Sequence, residues 1–173
     1  MNMCQKFDIA LSFATEEQNL VEKVYHYLRA EGLSVFYAPS PEAQEILSGR
    51  NQREVFYEIF ALRAKYVALF VSKNYIAKAV PMEEAEISFA KHGDNGTVIP
   101  IYLDEAALPD SLFDAKKTNY LRSNQPAVIT GHLAAKIKSS EIAGAKEHTR
   151  TRNGGNTMNI NGNTAEIQTF IQQ

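Results

Sequence analysis

Four short apolar runs bounded by polar or turn residues punctuate the chain: FDIALSF from Phe7 to Phe13, SVFY from Ser34 to Tyr37, YVALFV from Tyr66 to Val71 and VIPIYL from Val98 to Leu103. Each is apolar on both parities, which suits strands covered on both faces and predicts a parallel sheet flanked by helices. Between them the apolar spacing lengthens to the helical period. Leu20, Val24, Tyr27 and Leu28 recur at i, i+4, i+7 and i+8, and Gly32 stops the stretch as a C-cap glycine. Val55, Ile59 and Leu62 mark a second helix. Pro81 fits the first turn of a third, with Met82, Ala85 and Phe89 as its stripe and Gly93 as its end. Pro126 opens a last helix, in which Ile129, Leu133 and Ile137 lie one turn apart, and Asn119 to Arg122 is a candidate fifth strand.

Strand and helix therefore alternate along the chain, which predicts an α/β fold: a flavodoxin-like, doubly wound sheet of five parallel strands with helices on both faces. In that architecture ligands bind at the carboxyl ends of the strands, near the switch point between the first and third. The segments to inspect are Ser12 to Glu17, Ala38 to Asn51, Ser72 to Glu86 and Asp104 to Pro109.

Composition narrows the partners. With 18 Lys+Arg against 20 Asp+Glu in 173 residues, the net charge is -2, and no block of like charge offers a footprint for nucleic acid or an anionic membrane. The single cysteine, Cys4, cannot form an internal disulfide, the start lacks a signal-peptide pattern, and no apolar run is long enough to span a bilayer. A cytoplasmic protein is expected. From Ser139 onward three acidic and three basic residues cancel, and four of the nine glycines gather there. The reading is a compact domain over 1–138 and a polar Asn/Gly-rich tail or linker over 139–173. Within the tail, Asn161-Gly162 is a hairpin signal, set against a disordered tail.

Several chemistries fail on the residues. The turn after the first strand reads SFATEEQ, with no glycine for a dinucleotide fingerprint, and no P-loop pattern occurs. A phosphorelay receiver needs an acidic pair closing the first strand and an Asp closing the third, where this chain has Ser12-Phe13-Ala14 and Ser72. The four histidines are scattered and no cysteine pair exists, so no metal site is expected. What remains is Ser72 to Glu86, where Glu83, Glu84 and Glu86 sit near the start of a helix at the binding edge. Macrodipole stabilisation accounts for acidic residues there, and periodicity does not choose among the three.

At this segment the chain resembles the TIR domain family, in particular its bacterial branch. The resemblance rests on FDIALSFA at the first strand, SVFY at the second, a loop ending ILSGR at Arg50, VALFVSKNY running from Val67 to Tyr75, and IPIYLD ending at Asp104. It covers Lys6 to Lys138. What it implies is a flavodoxin-like fold and, in many bacterial and plant members, cleavage of NAD+ between nicotinamide and ribose, with NAD+ as substrate and no cofactor. The family pattern S-x-x-Y-x-x-K-x-W-x-x-x-E lays Ser72, Tyr75 and Lys78 on its first positions as substrate-binding residues, Val80 on the tryptophan and Glu84 on the catalytic glutamate. Phe13 and Ala14 fall where the family contacts nicotinamide. Ile46, Leu47, Ser48, Gly49 and Arg50 belong to the loop through which neighbouring TIR domains assemble.

That chemistry is physically reasonable. Nicotinamide leaves as a neutral molecule, so one ionised carboxylate that holds the ribose hydroxyls and stabilises the oxocarbenium-like transition state suffices, without the general acid a glycosidase needs. The helix N-terminus is expected to keep Glu84 ionised. Water as acceptor gives ADP-ribose; an internal adenine nitrogen gives a cyclic isomer. Val80 in place of tryptophan, and Ala38 where many bacterial members carry Asp, depart from the pattern. The implied function is an assembly-dependent NAD+ glycohydrolase or ADP-ribosyl cyclase in antiphage defence. Its rivals are a non-catalytic scaffold for homotypic assembly and an enzyme making a nucleotide signal for a separate effector.

Overall fold

Runs that are apolar on both parities become parallel strands here because each strand has a helical layer on either side. The structure, a computed structural model, describes residues 6–93 and 95–152. Its strands are β1 (Phe7–Phe13), β2 (Val35–Phe36), β3 (Ala64–Val71), β4 (Val98–Tyr102) and β5 (Leu121–Arg122), in the order β2-β1-β3-β4-β5 with every neighbouring pair parallel. The helices are α1 (Gln18–Ala30), α2 (Pro41–Leu47), α3 (Gln52–Phe56), α4 (Lys73–Ala77), α5 (Ala79–His92) and α6 (Pro126–Arg152). A 3-10 turn, Thr15–Glu17, links β1 to α1, and a π-helix, Tyr57–Arg63, links α3 to β3. The flavodoxin-like order expected from the alternation is therefore present, with its switch point between β1 and β3.

Two apolar clusters sandwich the sheet. Val21, Val24 and Leu28 of α1 and Ile129, Leu133 and Ile137 of α6 close over Ile9, Leu11, Phe70 and Ile101. Val55, Phe56, Ile59 and Phe60, with Tyr75 of α4 and Ala85 of α5, close over Ala10, Val67, Leu69 and Tyr102. The chain divides into two units after Lys138, and both clusters belong to the first. Cys4 and the Asn161-Gly162 signal lie outside the described residues.

The second helix departs from its expected form. Val55 and Ile59 are buried as the stripe requires, but Leu62 is 54% exposed and Arg63 takes the inward place at 9%. The cause is the π-helix: its wider turn shifts the phase of the helical face after Ile59, so a 3.6-residue template misplaces the last apolar position. Two short helices were also not anticipated, α2, capped by Ser40, and α4, capped by Ser72.

Candidate active site

Ser12 lies near the carboxyl end of β1 and is fully buried, where a hydroxyl needs protein partners. Its Oγ donates to Glu84 Oε2 at 2.5 Å and lies 2.7 Å from the Tyr75 hydroxyl. With the one serine proton given to the carboxylate, Tyr75 is the donor in the second bond. Three side chains from β1, α4 and α5 thus meet beside the switch point, and Glu84, at 8% exposure, is nearly sealed from water.

Local sequence sets each position. Ser72 leaves β3 with extended backbone, and its hydroxyl accepts the Tyr75 N–H at 3.1 Å, capping α4 and aiming Tyr75 under the sheet edge. α5 begins again at Ala79 and carries Glu84 inward in its second turn, with Ser88 Oγ donating to the Glu84 carbonyl at 2.7 Å. Of the three carboxylates left open by periodicity, Glu86 is exposed and Glu83 pairs with Arg53 of α3 at 2.6 Å. Only Glu84 turns into the fold.

Burial pushes the Glu84 carboxyl up to about 8; the Ser12 hydrogen bond works downward and the neighbouring Glu83 charge upward. This corrects the expectation that the helix N-terminus keeps Glu84 ionised. The macrodipole acts within the first turn, which holds no acidic residue, and desolvation dominates one turn later. Burial, followed by the Glu84 charge, holds the Tyr75 phenol well above its ordinary range.

Lys78 Nζ pairs with both carboxylate oxygens of Glu16 at 2.7 Å, and Asn74 Nδ2 donates to Glu17 at 3.3 Å, so the turn after β1 is tied to α4 and the start of α5. The Lys78 bond is the main cause that lowers the Glu16 pKa. Ala14 is buried in the cluster under α5. Phe13 faces the opposite side of the sheet from Glu84 and stacks on Tyr37 at 5.6 Å, while Tyr37 stacks on Tyr25 at 4.7 Å. Ile46 and Leu47 are the half-buried end of α2 and not loop, whereas Ser48, Gly49 and Arg50 are exposed. Gly49 has φ +75°, which favours glycine, and Arg50 pairs with Glu58 at 2.5 Å. Val80 is 40% exposed.

Ser12 and Arg53 were not assigned roles from sequence. The signal for Ser12 was present: a hydroxyl flanked by Leu11 and Phe13 in a central strand must find a partner. Two clefts open elsewhere: one of about 500 Å³ among Lys73, Asp104, Arg122 and Asn124, and one of about 530 Å³ between α1 and α6. Neither includes Glu84, whose 8% exposure leaves it nearly covered. Among the described residues no His, Cys, Asp or Glu group is arranged to hold a metal, and no helix is long and apolar enough to cross a membrane.

The sequence profile of the TIR domain family matches residues 9–130. A curated relative, the 3' cyclic ADP-D-ribose synthase AaTIR of Aquimarina amphilecti, is 30% identical over 142 residues, covering 81% of this chain and 42% of that protein. The chain thus spans about two fifths of that relative's length. Among solved structures, the TIR domain of the Toll-related receptor TRR-2 from Hydra magnipapillata superposes with a TM-score of 0.58 at 14% identity, covering 77% of this chain and 99% of that one. The TIR domains of the activated Roq1 resistosome, which directly recognises the pathogen effector XopQ, give 0.50 at 18% identity, covering 96% and 98%. At such identities these two likenesses speak for the fold alone.

Proposed function

Because the chain belongs to the TIR domain family, we propose that it cleaves the nicotinamide–ribose bond of NAD+ with Glu84 as the essential carboxylate. The observation that carries this reading is the Ser12–Glu84–Tyr75 arrangement at the carboxyl end of β1, one inward-facing carboxylate held at the switch point where such sheets bind ligands. In the reaction, the C1'–N bond breaks, its electron pair leaves with neutral nicotinamide, and positive charge develops on the ribose ring. An ionised carboxylate beside that ring stabilises the charge.

The closed structure is not poised for that step, since burial holds Glu84 at a pKa of about 8 and therefore largely protonated at neutral pH. Substrate supplies a reason to ionise: the pyridinium of NAD+ is a cation, and an opposite charge close by favours the carboxylate. In this reading, substrate reaches Glu84 when the 3-10 turn and the α4–α5 junction part. Their ties are exposed polar contacts, Lys78 to Glu16 and Asn74 to Glu17, which are weak in water.

The product is free ADP-ribose if water attacks, or a cyclic isomer if a nucleophile of the same molecule does. The name of the Aquimarina relative favours the cyclic outcome. A scaffold acting by assembly alone is the second reading, favoured by the closed site and by Val80 and Ala38. Chromatography of NAD+ incubated with wild type and Glu84→Ala over a range of protein concentrations tests the proposal. Turnover that falls about 100-fold or more in the variant supports it. Equal turnover would remove Glu84 from the mechanism, and none at any concentration would leave the scaffold. An antiphage role follows only by family analogy; the test is phage challenge of cells expressing wild type or Glu84→Ala.

A further inference from the structure

We propose that Ser12 is a positioning residue for this cleavage, a buried hydroxyl that relays the Tyr75 donor to Glu84 and fixes which carboxylate oxygen meets the substrate. The proposal rests on the NAD+ reading above for its consequence in turnover, though not for its geometry. Ser12 and Tyr75 are each fully buried, so neither hydroxyl has water to satisfy it, and the 2.7 Å and 2.5 Å bonds run in series toward Glu84 Oε2.

The direction of the chain follows from what each group can give. Tyr75 stays protonated through the accessible pH range, since burial and the Glu84 charge both oppose its phenolate. It therefore remains a donor to Ser12 Oγ, which leaves the serine proton for the carboxylate. This polarised pair stabilises the ionised form of Glu84, and it holds Oε2 against the end of β1, so that Oε1 is the oxygen presented to substrate. Backbone placement reinforces this, because the Ser72 cap fixes Tyr75 and the rigid central strand β1 fixes Ser12. The other charged group bearing on Glu84 is Glu83 of its own helix, paired to Arg53 of α3, so Ser12 is the partner that favours ionisation.

The test uses the full chain in three forms, wild type, Ser12→Ala and Tyr75→Phe, the last keeping the ring that fills the core. The Glu84 carboxyl is titrated by carbon NMR in protein labelled at glutamate, with Glu84→Gln identifying the signal, and NAD+ kinetics are measured across pH. In Ser12→Ala the Glu84 midpoint rises by about one unit, in line with losing a hydrogen bond to a charged group. Turnover at neutral pH falls about tenfold with KM within twofold, and the acidic limb of the kcat profile moves up by the same unit. Tyr75→Phe shifts both in the same direction by less. A Glu84 midpoint unmoved in both variants overturns the relay whatever the kinetics. A shifted midpoint with no NAD+ turnover in wild type upholds the relay geometry and removes the cleavage reading. A shifted midpoint with an unmoved kcat profile overturns the positioning role.

Discussion

Glu84 has no basic partner among the described residues, and a carboxyl buried to 8% exposure in that setting is expensive to ionise. Its folded pKa of about 8 lies above the ordinary 4.5, so the native state binds a proton that the unfolded chain has lost. The stability this contributes is fully present below about pH 4.5 and is lost as pH rises through about 8. Wild type is therefore expected to lose a few kcal/mol between pH 5 and 8, at about 1.4 kcal/mol per pKa unit. In Glu84→Gln that slope flattens, which thermal melts across the window will read. Ser72 makes a different case. Sequence resemblance gives it to the substrate, while its hydroxyl caps α4. Ser72→Ala is expected to lose about 1 kcal/mol of stability with KM for NAD+ unchanged, and a several-fold rise in KM would return the hydroxyl to substrate binding.

Elements carried the sequence reading where they were long and periodic. β1, β3, β4 and α1 were legible, because residues such as Ile9, Val67, Ile101 and Val24 repeat at strand or helix spacing and all fall in the core. α2 and α4 were not, since 7 and 5 residues are too few for a period and their signals are the caps Ser40 and Ser72. The π-helix was illegible for another reason, that a wider turn leaves no mark in an alphabet read at 3.6 residues per turn. Its phase is testable. Ile59→Ala is expected to cost about 2–5 kcal/mol in urea unfolding, while Leu62→Ser stays within about 0.5 kcal/mol. An ordinary α-helix through Leu62 would make the two losses comparable.

At the scale of the molecule, the sheet order brings the β1 end, α4 and α5 together, and Lys78–Glu16 and Asn74–Glu17 contacts tie the turn after β1 to α4 and the start of α5. Exposed Ser48 and Gly49 offer a way to probe assembly without touching the core. Ser48→Glu is expected to leave the melting temperature nearly unchanged and to abolish a rise of specific activity with protein concentration; sedimentation and product assays read the two sides. The sequence alone determined the alternation of strands and helices, and hence the doubly wound sheet, because burial on both faces writes itself as local apolar runs. Its own periodicity left Glu83, Glu84 and Glu86 open, and the resemblance to the family pattern pointed to Glu84. Only the tertiary structure decided that Glu84 turns inward while Glu83 and Glu86 do not, that Ser12, 72 residues away, is its hydrogen-bond partner and in turn meets Tyr75 63 residues on, and that burial raises the carboxyl's pKa to about 8. Desolvation and long-range hydrogen bonds depend on what packs around a group, and no local pattern of residues encodes that.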